Sequence, residues 1–332
     1  MKAYLLDRYK QDELRLGDIP TPEAGDDDVL IEVHAAGLNL LDSKIRSGEF
    51  KAILPYKLPI ALGHDVAGIV VRTGRNVRDF KPGDAVYSRV PDGHIGTLAE
   101  FIAVKASDVA LKPINLTMEE AASIPLVGLT AWQSLVERAK LRKGQKALIH
   151  AGSGGVGTIA IQLAKHLGAT VATTASAAGK DLVTCLGADV VIDYRKDAFE
   201  KALSGYDVVL NSLDAKTLAK SADVLKPGGQ LISISGPPDV VFAKKQGLNW
   251  VLQLAIRLIS GSIRRKAKAR QVNYSFLLMR ADGAQLRQIT PLLEDGAINP
   301  VIDRVFSFDA VNEALAYIET GRAKGKVVVR LK

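Results

Sequence analysis

One short stretch of the 332-residue sequence constrains the fold more than any other. An apolar run at 147–151, typical of a buried strand, leads directly into Gly152-Ser153-Gly154-Gly155-Val156-Gly157, which satisfies G-x-G-x-x-G. Apolar and small residues then recur at helical spacing up to Leu167, and Gly168 ends the predicted helix. Glycines in such a loop let the backbone approach a pyrophosphate, whose charge is held by free N–H groups at the helix start. The pattern predicts a dinucleotide-binding site at Gly152, Gly154, Gly155, Val156 and Gly157.

The remaining sequence falls into two kinds of pattern. The first part holds short alternating or β-branched runs separated by Gly and Pro, which predicts a mainly β domain. From about residue 121, strand patterns alternate with helical ones, which predicts βαβ units and a parallel sheet. A helix and a strand near the end would return to the first domain. We therefore predict an α/β protein, with a mainly β domain at 1–120 and 283–332 and a doubly wound parallel-sheet domain at 121–282.

Charge and cysteine content narrow the class. Lys and Arg exceed Asp and Glu by 8, from 44 against 36, and residues 244–270 alone hold eight basic residues and no acid. The excess therefore describes one segment and not a globally basic, nucleic-acid-coating protein. The single cysteine, Cys185, excludes an internal disulfide and predicts a reducing, cytoplasmic setting, with the thiol buried on an apolar helix face. We predict no signal peptide and no membrane span.

The strand that follows the glycine loop indicates which cofactor is bound. The dinucleotide pattern expects an Asp or Glu at that strand end, where it accepts the ribose hydroxyls of NAD. Here the sequence reads Thr173-Thr174-Ala175-Ser176, and Lys180 follows one helical turn later. Ser176 can donate a hydrogen bond to a 2′-phosphate and Lys180 can neutralise its charge, so we predict NADPH as the cofactor.

Motifs spread along nearly the whole chain resemble one family, the quinone oxidoreductase branch of the medium-chain dehydrogenase/reductase superfamily. Within that branch the alkenal/enone reductases and envelope-type quinone reductase homologues are the most similar in kind. The resemblance implies a GroES-like β domain, a Rossmann domain and an active site in the cleft between them. The motifs are Gly63–Gly68, Lys81–Tyr87, Gly96–Phe101, Gly144–Gly157, Gln162–Lys165, Leu186–Asp189 and Gly321–Val328.

The same resemblance speaks against zinc. Zinc-dependent relatives have Cys and His ligands where this chain has Asn39 and Leu40. His64 remains at the position of a second ligand, but one histidine without thiolate partners is not a zinc site. We therefore expect no metal and predict that His64 is a packed, hydrogen-bonded residue.

The resemblance also implies roles for individual residues. Asn39 and Lys44 would reach the nicotinamide or ribose side of the cofactor, and Tyr194 would lie by the adenosine 2′-phosphate. Tyr56 could cap the substrate pocket, either as a hydrogen-bond donor or as an aromatic wall. Thr174 joins Ser176 and Lys180 in the predicted phosphate-binding set. Further predicted cofactor contacts are Asn211, Ser235, Gly236, Phe276, Leu277, Gly325 and Lys326.

The segment from about 240 to 271 departs from the compact family pattern and predicts a basic, apolar helical insertion. Apolar residues cover most of a helix over 248–259, and a helix of this kind is expected to be buried. A cationic cluster follows at 264–270. Three interpretations stay open: a dimer-interface or pocket-covering helix with a solvated basic tail, which we favour, peripheral contact with an anionic membrane, and nucleic-acid binding.

Two functions follow from these features. The first is an NADPH-dependent, zinc-independent oxidoreductase that transfers hydride to a quinone or to the C=C bond of an α,β-unsaturated carbonyl, as a homodimer. The alternative is a cofactor-binding protein with little turnover that serves in regulation, membrane tethering or RNA binding.

Overall fold

The computed structural model describes all residues from 1 to 332, and the chain forms two compact units. Unit 1 consists of residues 1–129 and 280–332, and unit 2 consists of residues 130–279. The sequence suggests boundaries at 120 and 283, which differ from those of the two units by nine and three residues. The first stretch of unit 1 extends beyond its predicted end because helix α2 (Met118–Ala122) packs on strands of unit 1.

Unit 1 is mainly β and contains two sheets. Its strands are β1 (Lys2–Leu6), β2 (Arg15–Asp18), β3 (Asp28–Leu38), β4 (Ile60–Ala61), β5 (Asp65–Thr73), β6 (Ala85–Arg89), β7 (Phe101–Lys105), β8 (Val109–Leu111), β15 (Ile302–Ser307) and β16 (Lys326–Arg330). The large sheet has the order β15-β16-β3-β5-β6-β8, with β7 also paired to β3, and the small sheet has the order β2-β1-β4. Strand β3 is buried along almost its whole length because it pairs with three strands and carries a nearly continuous apolar run.

Four further helices belong wholly or partly to unit 1. They are α1 (Leu40–Ser47), α3 (Pro125–Trp132), α11 (Gly283–Glu294) and α12 (Val311–Glu319). Helix α1 begins where the carboxylate of Asp42 accepts the backbone N–H of Asn39, and it ends at Gly48, whose φ of +82° suits glycine. Helix α3 continues as a π-helical turn at Gln133–Arg138 and crosses into unit 2.

Unit 2 is a single parallel sheet with helices. Its strands are β9 (Lys146–Ile149), β10 (Thr170–Ala175), β11 (Val190–Asp193), β12 (Tyr206–Asn211), β13 (Leu225–Ser233) and β14 (Asn273–Phe276). All neighbours pair in parallel, in the order β11-β10-β9-β12-β13-β14. This confirms the predicted doubly wound fold. Because the order reverses between β9 and β12, their carboxyl ends border the place where such sheets bind ligands.

Helices α4 to α7 connect the strands of this sheet. They span α4 (Gly155–His166), α5 (Lys180–Cys185), α6 (Phe199–Ala202) and α7 (Ala215–Val224). The predicted burial of the Cys185 thiol is wrong, because Cys185 is exposed. Only Val183 of α5 is buried, and residues two apart on a helix point in nearly opposite directions.

The predicted insertion near 240–271 consists of three short helices, α8 (Val240–Lys245), α9 (Trp250–Ile259) and α10 (Gly261–Ala269). Helix α9 packs with Ile256 inward and leaves Trp250 and Leu258 exposed. The chain itself therefore does not cover the apolar face of α9, contrary to the expectation for a pocket-covering helix. No helix of the protein has the length and apolar character needed to cross a bilayer.

Candidate active site

Two positions in the glycine loop of unit 2 leave no room for a side chain, which is why only glycine fits them. A Cβ added to Gly152 would lie 2.1 Å from the Thr173 hydroxyl oxygen, and one added to Gly157 would lie 2.3 Å from the carbonyl oxygen of Ala151. The loop delivers the chain from β9 into α4, which begins at Gly155 after Gly154 in extended geometry. The first backbone N–H groups of α4 have no partner within the helix, so they are available to an anion. A pyrophosphate fits this arrangement.

His150, which no sequence motif indicated, supports the glycine loop through hydrogen bonds. His150 Nδ1 lies 3.1 Å from Thr174 Oγ1, and His150 Nε2 lies 2.9 Å from Ser221 Oγ. Because Ser221 donates its own proton to the carbonyl oxygen of Thr217, it accepts from Nε2–H, and Nδ1 then accepts from Thr174. Burial lowers the pKa of His150 to about 4, so the ring is neutral near pH 7.

This arrangement gives Thr174 a role in holding the loop. Its hydroxyl oxygen accepts the backbone N–H of Ala151, immediately before Gly152. Thr174 is buried, so a direct contact with the cofactor stays a prediction.

Beyond Thr174, the end of β10 carries no carboxylate. Ser176 is half-buried and Lys180 is exposed at the start of α5. A Cβ at Gly179 would lie 3.1 Å from the hydroxyl oxygen of Ser153, so the turn after β10 sits directly beside the glycine loop.

The neighbouring strand adds a second cation at this corner. Tyr194 follows β11, donates its backbone N–H to Ala175 and exposes 57% of its surface. The guanidinium carbon of Arg195 lies 5.8 Å from the centre of the Tyr194 ring. The acid nearest in sequence, Asp193, accepts the backbone N–H of Arg195 and so closes the turn. Arg195 is a candidate phosphate-binding residue that the sequence analysis missed, although it adjoins Tyr194.

The ends of β12 and β13 bring other predicted residues together. Asn211 is fully buried and donates from Nδ2 to the carbonyl oxygen of Leu213 at 3.1 Å, while its Oδ1 has no partner. Ser235 donates to the same carbonyl, and Ser233 donates to the carbonyl of Gly236 at 2.8 Å. The unpartnered Asn211 Oδ1 is an acceptor that a bound ligand could satisfy.

Phe276 and Leu277 are packed inside unit 2. The Phe276 ring meets that of Phe242 edge-on at 5.0 Å, and its backbone N–H bonds to the Asp239 carboxylate. Leu277 is 4% exposed. Their predicted position beside the nicotinamide stays a prediction.

Unit 1 contains a group of buried charged and polar side chains, which we call the buried charge cluster: Asn39, Asp42, His64, Asp65 and Lys326. The Lys326 ammonium lies 2.6 Å from Asn39 Oδ1 and 3.1 Å from Asp65 Oδ2. Asn39 Nδ2 also donates to Asp65 Oδ2, at 3.0 Å, and Asp65 Oδ1 accepts the backbone N–H of Leu126. Asn39, Asp65 and Lys326 are thus hydrogen-bonded to one another, and the polar groups of Asn39 and Lys326 are already occupied.

His64 is the second anchor of the cluster, and it is packed and hydrogen-bonded as the sequence suggests. Its Nδ1 lies 2.6 Å from Asp42 Oδ1, and both side chains are fully buried. Its Nε2 has no hydrogen-bond partner and lies 3.9 Å from Asp92 Oδ1. No group of three or more His, Cys, Asp or Glu side chains in the protein could hold a metal ion.

Tyr56 borders a cavity in unit 1 of about 310 Å³ that Asp92 also lines. Its hydroxyl is buried without a hydrogen-bond partner. Burial raises the pKa of this phenol, and the negative charge of Asp92 raises it further. The group therefore stays protonated at neutral pH, as a donor with no acceptor.

Lys44 and Gly325, two further predicted cofactor contacts, are not members of the buried charge cluster. The Lys44 side chain, in the last turn of α1, is 46% exposed, and its ammonium nitrogen lies 3.4 Å from Glu49 Oε2. It is not part of the buried charge cluster, so its predicted approach to the cofactor rests on the resemblance alone. Gly325 has a φ of +99°, and a Cβ there would lie 2.3 Å from the carbonyl oxygen of Val301, which fixes the start of β16 before Lys326.

Comparison with known proteins extends over the whole chain. Residues 25–114 match the alcohol dehydrogenase GroES-like domain, and residues 186–329 match the zinc-binding dehydrogenase domain. A mitochondrial NAD(P)H oxidoreductase of Danio rerio is 36% identical, over 100% of this chain and 91% of its own. The chloroplastic NADPH-dependent alkenal/one oxidoreductase of Arabidopsis thaliana is 38% identical, over 99% and 79%.

Among solved structures, the quinone oxidoreductase of Coxiella burnetii superposes with a TM-score of 0.87 at 32% identity, covering 100% of this chain and 99% of the other. Similarity of this extent includes both units and the glycine loop. The chain therefore belongs to the medium-chain dehydrogenase/reductase superfamily, in the branch whose members are named quinone oxidoreductases and alkenal/one oxidoreductases.

Proposed function

We propose that this protein is an NADPH-dependent reductase that delivers hydride to a quinone or to the C=C bond of an α,β-unsaturated carbonyl, without zinc. The proposal rests mainly on one corner of unit 2. There the glycine loop leads into the N-terminus of α4, the neighbouring turns carry Ser176, Lys180 and Arg195, and no carboxylate stands at the end of β10. The names of the relatives support the same assignment, since they include NADPH-dependent and quinone oxidoreductases.

Different residues of this corner would bind different parts of the cofactor. The N-terminus of α4 holds the pyrophosphate, and Ser176 with Lys180 and Arg195 holds the 2′-phosphate. When bound, the nicotinamide supplies the hydride. Asn211 Oδ1, a buried acceptor without a partner, is available to a donor of the cofactor.

Tyr56 is the best candidate for activating the acceptor. Hydride addition to an enone or quinone places negative charge on a carbonyl oxygen, and a fixed donor at that oxygen lowers the barrier. The Tyr56 phenol is protonated at neutral pH, its hydroxyl has no competing protein acceptor, and the residue lines the cavity of unit 1. We assign to Tyr56 the polarisation of the acceptor carbonyl.

Asn39 and Lys326 fit a positioning role better than direct contact with the acceptor. Every polar group of the Asn39 side chain has a protein partner, and the Lys326 ammonium is held by Asn39 and Asp65. Both residues are almost fully buried. We propose that they keep α1 and β16 in place.

The donor set of unit 1 supports a zinc-independent reaction. Zn²⁺ needs three or four nitrogen, sulfur or carboxylate ligands at tetrahedral spacing. His64 Nδ1 is hydrogen-bonded to Asp42. Asn39 stands at the position where zinc-dependent relatives have a cysteine ligand, and no group of three ligands for a metal ion is present. We keep a cytoplasmic location and a homodimer as proposals drawn from the sequence, to be checked by fractionation and by solution mass.

The decisive experiment measures cofactor oxidation through the loss of nicotinamide absorbance, with a quinone and with a short enal. We expect turnover with NADPH and a kcat/KM for NADPH at least about tenfold above that for NADH, since one charge-assisted phosphate contact contributes about 1.5–3 kcal/mol. Equal values for the two cofactors would contradict the NADPH assignment. Cofactor binding without turnover on any acceptor would instead favour the binding-protein alternative.

Substitutions at the phosphate corner test the same proposal residue by residue. Lys180→Ala and Arg195→Ala should each weaken NADPH binding by about tenfold and leave NADH binding nearly unchanged. Lys201→Ala, at an exposed lysine of the same unit, is the matched control and should affect neither cofactor.

A further inference from the structure

The outward surface of helix α9 is apolar. Its side chains fall on one half of the helix circumference at 100° per residue, and we call them the α9 outer face. They are Trp250 (76% exposed), Val251 (52%), Leu254 (49%), Leu258 (72%) and Ile259 (67%). Val241 of the adjoining helix α8 adds another side chain, 66% exposed. Apolar surface of this kind, gathered on one helix, marks a contact surface and not ordinary solvent exposure.

The side of α9 opposite its outer face is the side that is buried. Ile256 is buried, and Ser260 is fully buried with its hydroxyl donating to the carbonyl oxygen of Ile256 at 2.7 Å. Gln253 donates to the carbonyl oxygen of Leu248 at 2.6 Å. The helix therefore packs through the side that carries its polar residues and turns its most apolar side outward, the reverse of a helix covering a core.

Positive charge follows immediately in α10. Arg264, Arg265 and Lys268 are exposed, and no acidic residue occurs between 244 and 270. Two further basic residues, Lys266 of α10 and Arg270 directly after it, both form ion pairs with Asp223, at 2.6 and 2.8 Å. Asp223 thereby anchors α10, while Arg264, Arg265 and Lys268 stay exposed.

We propose that the α9 outer face and these three cations form a docking surface for a lipid bilayer with anionic headgroups. Helix α9 is ten residues long, which suits a helix lying in the interface plane and not one crossing the membrane. Trp250, Leu254 and Leu258 enter the boundary between headgroups and acyl chains. Arg264, Arg265 and Lys268 pair with lipid phosphates and carboxylates.

Charge decides between a bilayer and a second copy of this chain. A two-fold contact through the α9 outer face would bring together two identical surfaces, each followed by unpaired cations and no acid. Like charges at such a contact repel, whereas an anionic bilayer complements them. We therefore favour a bilayer contact for α9 over the dimer-interface helix that we preferred from the sequence.

The test uses the full-length protein and vesicles of phosphatidylcholine, with and without phosphatidylserine. We expect co-sedimentation with the phosphatidylserine vesicles and little with phosphatidylcholine alone. Trp250 should report insertion directly through a blue shift of its emission on vesicle addition. The shift should be absent in Trp250→Phe, which leaves the half-buried Trp132 as the remaining tryptophan.

Two variants separate the charged and apolar contributions. The triple change Arg264→Glu, Arg265→Glu and Lys268→Glu should weaken binding at least about a hundredfold, because each basic residue near the headgroups contributes about a factor of five. Leu254→Gln with Leu258→Gln should weaken binding about tenfold or more and remove the part that survives in high salt, because apolar insertion is not screened.

Matched controls lie on unit 1. Ile114→Gln changes an apolar side chain that is 88% exposed, and the triple change Arg72→Glu, Lys81→Glu and Arg322→Glu reverses three exposed cations. Both controls should bind vesicles like the unchanged protein. Thermal unfolding of every variant should match it as well, because all of these side chains are on the surface.

Three results would overturn the proposal. The first is vesicle binding that does not depend on phosphatidylserine or on the three cations. The second is binding that the Leu254→Gln, Leu258→Gln protein retains in full, which would mean charge attraction without insertion. The third is a dimer in solution that this same double variant converts to monomer without vesicles present, because the α9 outer face would then join two copies of the chain.

Discussion

Unit 2 and unit 1 prepare their candidate sites by different physical means. Unit 2 leaves side chains out: glycines occupy positions where a Cβ would lie within about 2 Å of a neighbour, and the supporting histidine is neutral. Unit 1 buries ionisable side chains, with Asp42, His64, Asp65 and Lys326 all nearly or fully removed from solvent. The first kind of site depends on backbone shape, and the second depends on every partner being present. The two should therefore respond differently to substitution and to pH.

The largest effect is expected at the buried charge cluster. Asp65→Asn leaves the Lys326 ammonium buried without its full countercharge, and we expect a loss of about 3–5 kcal/mol in the free energy of unfolding. Denaturant titration measures it. Asp18→Asn is the control, because the Lys2–Asp18 pair is 55% and 77% exposed and its loss should change the unfolding free energy by less than about 1 kcal/mol.

If Asp65→Asn proves as mild as Asp18→Asn, unit 1 does not depend on its countercharge, and the contrast with unit 2 fails. The double variant Asp65→Asn, Lys326→Met should recover part of the loss, since it removes both charges.

The next effect concerns the unpartnered phenol. Tyr56→Phe should lower kcat/KM about a hundredfold, because it removes a donor at the developing oxyanion, and should leave the unfolding free energy nearly unchanged. Tyr87→Phe is the matched control, since the Tyr87 hydroxyl bonds to the Leu286 carbonyl at 3.1 Å and to Thr290 Oγ1 at 3.0 Å. That change should cost about 1 kcal/mol of stability and leave the rate intact. A Tyr56→Phe enzyme of unchanged rate would remove Tyr56 from the mechanism.

A smaller effect is expected from pH at His150 in unit 2. Its folded pKa of about 4 lies below the ordinary 6.5, so the unfolded chain binds the proton more readily between these values. The stability contributed by the neutral ring is thus complete above about pH 6.5 and is lost as pH falls toward 4. From pH 7 to pH 5 the unfolding free energy should fall by about 2 kcal/mol through this group.

Comparison of the protein with His150→Asn isolates that contribution, because other titrating groups are common to both. The His150→Asn protein should show a pH dependence shallower by about the same amount. Identical pH profiles would mean that burial does not lower the pKa of His150, and that unit 2 would also hold a buried charge near its site at pH 5.

The sequence predicts features whose residues lie close together in the chain, and it does not reveal contacts between distant residues. The strand, loop and helix around Gly152 lie within one short stretch, so their periodicity and spacing were enough. His150 was missed because its partner Ser221 is 71 residues away. The contact of Lys326 with Asn39 spans 287 residues, and no local pattern reveals it.

Helix α9 shows a second kind of limit. Periodicity groups Trp250, Leu254 and Leu258 on one face, but it does not say whether that face points toward the protein or away from it. Packing of Ile256 and Ser260 settles the direction in the structure. Cys185 illustrates the same limit, because a helix as short as α5 buries one residue, Val183, and leaves its neighbours outside.

The discontinuity of unit 1 has a consequence for the nascent chain. Strand β16 lies between β15 and β3, and it carries the cation that balances Asp65, yet it is synthesised near the end. Until it emerges from the ribosome, residues 35–38 of β3 lack a partner along one edge, where β7 covers only residues 28–32. Unit 2 is continuous from 130 to 279 and can fold during this interval. We therefore expect unit 2 to fold before unit 1 is complete, and the stage before β16 arrives to be the one most prone to aggregation.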